Sequence, residues 1–132
     1  MKYPNLRKID QKQTARIARG MTDLAGMYSK PVGGSGADWR AKGDVYSKMF
    51  LFEAKDKLNP SKQRTIYRDV FDKIRLEALN EGGKIPCYVV GFGDGDDFMI
   101  LRDLDFYGLI DRLLTAESEL EELRHRMESL EK

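Results

Sequence analysis

A chain of 132 residues makes one domain with a single modest core. With 41% hydrophobic and 34% charged residues it is expected to be soluble and globular, and no apolar run approaches the ~20 residues that span a bilayer. The net charge of +1 conceals a split: residues 1–84 hold 18 Lys and Arg against 10 Asp and Glu, whereas residues 85–132 hold 5 against 12.

A polyanion is therefore expected to meet the first two-thirds of the chain. The single cysteine, Cys87, excludes an internal disulfide framework, and the single histidine, His125, excludes a centre built on several histidines or an ordinary zinc site. Chemistry here rests on carboxylates, lysines and metal. The N-terminal MKYPNLRKIDQKQ has no apolar stretch of the secretory type, so a cytoplasmic location is expected.

In chain order, Asp10 with Gln13 three residues later predicts a capped helix start. Ile17, Met21, Leu24 and Tyr28 continue it as an amphipathic stripe. Residues 29–43, with Pro31 and a Gly-Ser cluster at 33–36, are expected to be loop. Two short strands follow, Asp44–Tyr46 and Met49–Lys55, with a turn at Ser47-Lys48. Ser61 is expected to cap a second helix reaching Glu81, with Ile66, Val70, Ile74 and Ala78 inward and Arg64, Arg68 and Arg75 sharing another face. The apolar run IPCYVVGF, 85–92, predicts a strand covered on both faces, GDGDD a hairpin turn, and 98–102 the returning strand. The GDGDD acids lack the spacing and closing glutamate of a calcium loop. Cys87 inside the apolar run reads as core packing. From about Asp103 the chain reads as helix. Its seam of Leu113, Ala116, Leu120, Leu123, Met127 and Leu130 suits either a short dimerising coiled coil or packing on its own domain.

Chemistry concentrates at GDVYSKMFLFEAK. Alternation in the second strand sends Phe50, Phe52 and Ala54 one way, into the core, and Leu51, Glu53 and Lys55 the other. A paired neighbouring strand brings Asp44 up to Glu53. Two converging carboxylates make a hard-oxygen site for Mg2+, with Mn2+ as a substitute, and an adjacent lysine can orient water or stabilise charge on phosphate. The plainer reading of Glu53 and Lys55 is a solvated strand face. Gly33–Gly36 is not a P-loop, since no Gly-Lys-Ser/Thr follows it into a helix.

In this order GSGADWRAKGDV, FLFEAK, KIRLEAL and GKIPCYVVGF resemble the PD-(D/E)XK nuclease superfamily, and within it the phage branch of archaeal-type Holliday junction resolvases. The resemblance covers roughly residues 10–110. It implies an α/β, restriction-endonuclease-like fold with a central mixed sheet flanked by helices. It further implies a Mg2+-dependent endodeoxyribonuclease and a homodimer cutting symmetry-related strands of branched DNA, with no small-molecule cofactor and no membrane. By position, Asp44, Glu53 and the backbone carbonyl of Ala54 would hold metal, and Lys55 would assist the water. Ser35, Arg40 and Lys42 would contact the DNA backbone, with Lys57, Arg64 and Arg68 extending the basic surface. Trp39 either stacks on an exposed base or anchors its loop. Lys73 matches a recurrent lysine of the second helix, or is a solvated helix lysine.

Two departures stand out. Gly43 replaces the family's proline before the aspartate. The acid expected on the first helix is missing, and Gln13 and Thr14 stand there; Gln13 would hold a metal-bound water or serve as a helix cap. The domain expectation is a nuclease domain over 1–112 and a helical extension over 113–132. Two other functions fit the same residues: a nuclease of this fold for flaps, single strands or duplex sites, or a non-catalytic dimeric DNA-binding protein.

Overall fold

The computed structural model describes residues 6–32 and 43–131. It is an α/β structure with a five-stranded mixed sheet and three α-helices: α1 (Leu6–Arg19), β1 (Ser29–Pro31), β2 (Val45–Ser47), β3 (Phe50–Lys55), α2 (Arg68–Asn80), β4 (Ile85–Gly91), β5 (Asp97–Ile100) and α3 (Asp103–Glu131). The strands lie in sequence order across the sheet. Three junctions are antiparallel, and β3 and β4, joined through α2, are parallel.

The parallel pair lies inside the sheet, and its sequence says why. Both strands are nearly continuous apolar runs, as burial on two faces requires. Leu51, Phe52, Glu53 and Ala54 of β3 are all buried, as are the six residues from Pro86 to Gly91 in β4. Leu51 packs with Ile74 and Ala78 of α2, and Phe71 closes that cluster. The Leu51–Glu53 face, for which a solvated strand face is the plainer reading of the sequence, is thus covered by α2. Phe52 and Ala54 turn to the opposite face, with Cys87 and Val89 beside them in register. Burial pushes the Cys87 thiol up to about 12, so it remains a protonated core group.

Several sequence expectations move. The first helix begins at Leu6, so Asp10 lies inside it and is not its cap. After Arg19 it widens into a π-helical turn, Gly20–Leu24, which shifts the phase of the apolar stripe. Ile17 and Ala18 are accordingly buried while Leu24 and Tyr28 are exposed. Ser29–Pro31, expected as loop, forms the edge strand β1, where a proline is tolerated. The second helix starts at Arg68, seven residues later than Ser61. Ser61 instead makes a local turn with Gln63, and its N–H donates to the Phe92 carbonyl, which holds this stretch against the end of β4. Arg64 therefore lies off the helix, and Ile66 is exposed.

The chain divides into two compact units, Met1–Ile100 and Leu101–Lys132. The boundary falls ahead of α3, which runs unbroken through residues 112 and 113. Among the described residues, no helix is long and apolar enough to cross a membrane.

Candidate functional site

The antiparallel register pairs Val45 with Phe52. One step earlier, Asp44 lies opposite Glu53. The Asp44 N–H donates to the Phe52 carbonyl at 2.8 Å, and its carbonyl accepts from Val32 N–H at 2.9 Å, so its backbone is clamped between two strands. Its side chain is held too: Oδ2 accepts the Ala54 N–H at 2.8 Å. A strand residue sends its N–H and C=O to the same edge, so the Ala54 carbonyl leaves β3 on the Asp44 side.

Gly43 makes this approach feasible. It sits at φ 80, and a Cβ there would fall 2.9 Å from Leu51 Cγ and 3.1 Å from the Phe52 carbonyl oxygen. A proline, locked near −65°, cannot adopt this backbone. The glycine is required by the local geometry and does not merely stand in for a proline.

Glu53 projects from the face covered by α2. Its side chain is 9% exposed, and its partner is the Lys55 ammonium at 3.7 Å, itself half-exposed. Burial pushes the Glu53 carboxyl up to about 7, and the Asp44 charge pushes the same way. The Lys55 and Lys73 ammoniums oppose that rise, and Glu77 adds to it. The three residues singled out in the sequence are thus brought together: two facing carboxylates and one lysine where β3 runs on past the start of β2.

Glu77 is the participant that sequence reasoning missed. It sits on α2, makes an ion pair with Lys73 at 3.7 Å, and has one buried oxygen, Oε2, without a hydrogen-bond partner among the described residues. The available signal was the i, i+4 spacing of Lys73 and Glu77 one residue ahead of inward-facing Ala78. Lys73 itself is exposed on the helix, with its charge opposing the rise at Glu53. Among the described residues no group of three or more His, Cys, Asp or Glu is placed to hold a metal ion. The oxygen groups that could act as donors here are those of Asp44, Glu53 and a backbone carbonyl. That set fits Mg2+, which commonly takes one or two carboxylates and completes its shell with water and phosphate oxygens.

Gln13 serves neither as a cap nor on the Glu53 face. It is fully buried in mid-helix, and its Nε2 donates to the Lys55 carbonyl at 3.1 Å and to Asp97 Oδ1 at 3.2 Å. Arg16, one turn on, donates through Nε to Asp97 Oδ2 at 2.9 Å and through Nη2 to Asp56 Oδ2 at 3.2 Å. Asp56 Oδ1 in turn accepts from the Gly93 N–H at 3.1 Å. This network fastens the C-terminal end of β3 from the other face of the sheet, and so holds the Glu53–Lys55 segment in place.

The basic residues are less convergent. Arg64 reaches the Lys55 carbonyl through Nη2 at 3.3 Å, while Arg68 pairs with Asp72 at 3.0 Å and stays exposed. Lys57 is half-buried beside Asp56. Ser35, Trp39, Arg40 and Lys42 lie outside the described residues. Comparison with protein-family models, curated proteins and solved structures finds no match to this chain.

Proposed function

We propose that this chain is a metal-dependent endodeoxyribonuclease with a restriction-endonuclease-like fold, acting on branched DNA of the four-way junction type. The observation that carries the reading is the gathering of Asp44, Glu53 and Lys55, with the Glu53 carboxyl buried against a second acid and raised toward neutrality. Two like charges held together in a partly dry site favour whatever neutralises them, and a divalent cation does so while leaving room for phosphate oxygens. Asp44, Glu53 and the Ala54 carbonyl would hold the ion. When bound, it supplies a water of lowered pKa and charge neutralisation at phosphorus.

The chain's own groups do the rest. Lys55, half-exposed and paired with Glu53, would orient the attacking water and stabilise charge growing on the phosphoryl oxygens. Lys73 adds positive field from α2. The basic half of the chain supplies backbone affinity, and junction shape supplies selectivity. Cutting two symmetry-related strands takes two such centres, which a homodimer provides.

The test is a cleavage assay in Mg2+ on a labelled four-way junction and on a linear duplex of the same sequences. Selective cutting of the junction, with steep loss of binding as salt rises, is the expected result. Equal cutting of both substrates would leave a nuclease of broader specificity. Binding without cutting would support a non-catalytic DNA-binding protein.

A further inference from the structure

We infer that α3 is a self-association surface whose occupant is a second copy of the same helix, paired as a two-stranded coiled coil. The helix runs 29 residues without a buried side chain. The three-four alternation beginning at Leu113 extends back through half-buried Leu109 to Phe106 once the helix is seen to start at Asp103. Phe106, Leu113, Leu120 and Met127 then occupy one seam position every seven residues, and Leu109, Ala116, Leu123 and Leu130 the other. That makes more than three heptads. Leu120, Leu123 and Met127 are 48%, 52% and 56% exposed, so the seam is open.

The flanking charges specify the occupant. If two copies run parallel, Arg112 faces Glu117 of the second copy, Glu119 faces its Arg124, and Arg126 faces its Glu131. If they run antiparallel over the same length, Arg112 faces Glu119, and Glu117 faces Arg124. Every one of these pairs is of opposite sign. A partner with a uniformly basic or acidic groove would meet like charges along half of these alternating rows. On the outward face His125 lies near Glu121 at 3.8 Å and Glu128 at 4.0 Å within the same helix. Pairing also accounts for the helix itself, because an isolated helix draws little stability from propensity alone.

The inference requires neither DNA nor metal, so it stands or falls apart from the nuclease reading. Sedimentation of the purified full chain is expected to give a dimer, with helical signal falling as the dimer is diluted apart. Leu120→Asn with Leu123→Asn is expected to weaken association by roughly a hundredfold or more. Glu119→Arg, which opposes like charges in either direction, is expected to weaken it several-fold. Both changes are at exposed positions, so the thermal transition of the sheet unit should be unaltered in each, separating lost pairing from misfolding. A wild-type chain that stays monomeric at about 100 micromolar would overturn the inference. So would a dimer indifferent to the Leu120 and Leu123 changes.

Discussion

The two faces of β3's C-terminal end carry charge in opposite ways. Toward α1, Arg16 is shared by Asp56 and Asp97, and Gln13 ties Asp97 to the Lys55 carbonyl. The carboxylates there have close hydrogen-bonded partners. Toward α2, Glu53 has, among the described residues, one ion-pair partner, the Lys55 ammonium at 3.7 Å; it faces the charge of Asp44 and is forced toward protonation. On the first face the acids are paired and the neutral Gln13 Oε1 is left buried without a partner among the described residues, whereas the second face leaves a charge unneutralised, an electrostatic need that a ligand can meet. A charged cluster reveals its role by what it leaves unsatisfied.

Substitutions separate the faces. The largest effect is expected on cleavage: Asp44→Asn or Lys55→Ala should lower the rate by about a thousandfold while binding to a junction survives. Loss of binding in step with loss of rate would mean that these residues hold DNA and do not act on it. On the α1 face, Arg16→Ala should cost about 3 kcal/mol in denaturant unfolding, because it leaves Asp56 and Asp97 nearly buried without their cation. A cost below ~1 kcal/mol would show that network to be dispensable.

Glu53 gives a pH signature of opposite direction. Its carboxyl is raised in the fold, so between about 4.5 and 7 the unfolded chain releases a proton that the folded chain retains. Stability without divalent cation should therefore fall as pH rises through that window. Glu53→Gln should abolish the slope and be the more stable protein at pH 8, by ~2 kcal/mol. Matching pH profiles for variant and wild type would remove the claim that this carboxyl is strained. The smallest effect belongs to Arg68, exposed and, among the described residues, paired only with Asp72: Arg68→Ala should change stability by no more than ~0.5 kcal/mol. If it meets DNA, the same change should reduce the salt slope of binding by about one.

Much of the sheet was legible in the sequence because its signals are local. The run at 85–92 and the alternation around Phe50–Lys55 announce strands without knowledge of their partners, and Asp44 and Glu53 could be paired by strand geometry alone. What stayed hidden was set by contacts across the chain. Gln13 looked like a cap partner because its distant partners, the Lys55 carbonyl and Asp97, leave no trace in neighbouring residues. Asp97 read as a turn acid but joins β5 and the Arg16 network. The stretch 61–67 is expected to be helical, yet the Ser61 bond to the Phe92 carbonyl and the Arg64 bond to the Lys55 carbonyl tie it to the ends of β4 and β3, and the helix starts only after Tyr67, at φ −97 and ψ 121. Glu77 carries only a weak local signal, its i, i+4 spacing from Lys73, because its effect on Glu53 arises across the chain.

The central claim is that Asp44, Glu53 and Lys55 form a cation-dependent hydrolytic centre. It is tested most directly by following a labelled four-way junction with wild type and Glu53→Gln, each in Mg2+ and in excess chelator. Cleavage by wild type in Mg2+ alone, with the variant folded, bound and inactive, is the predicted result. Cleavage that survives in chelator or in Glu53→Gln would contradict it.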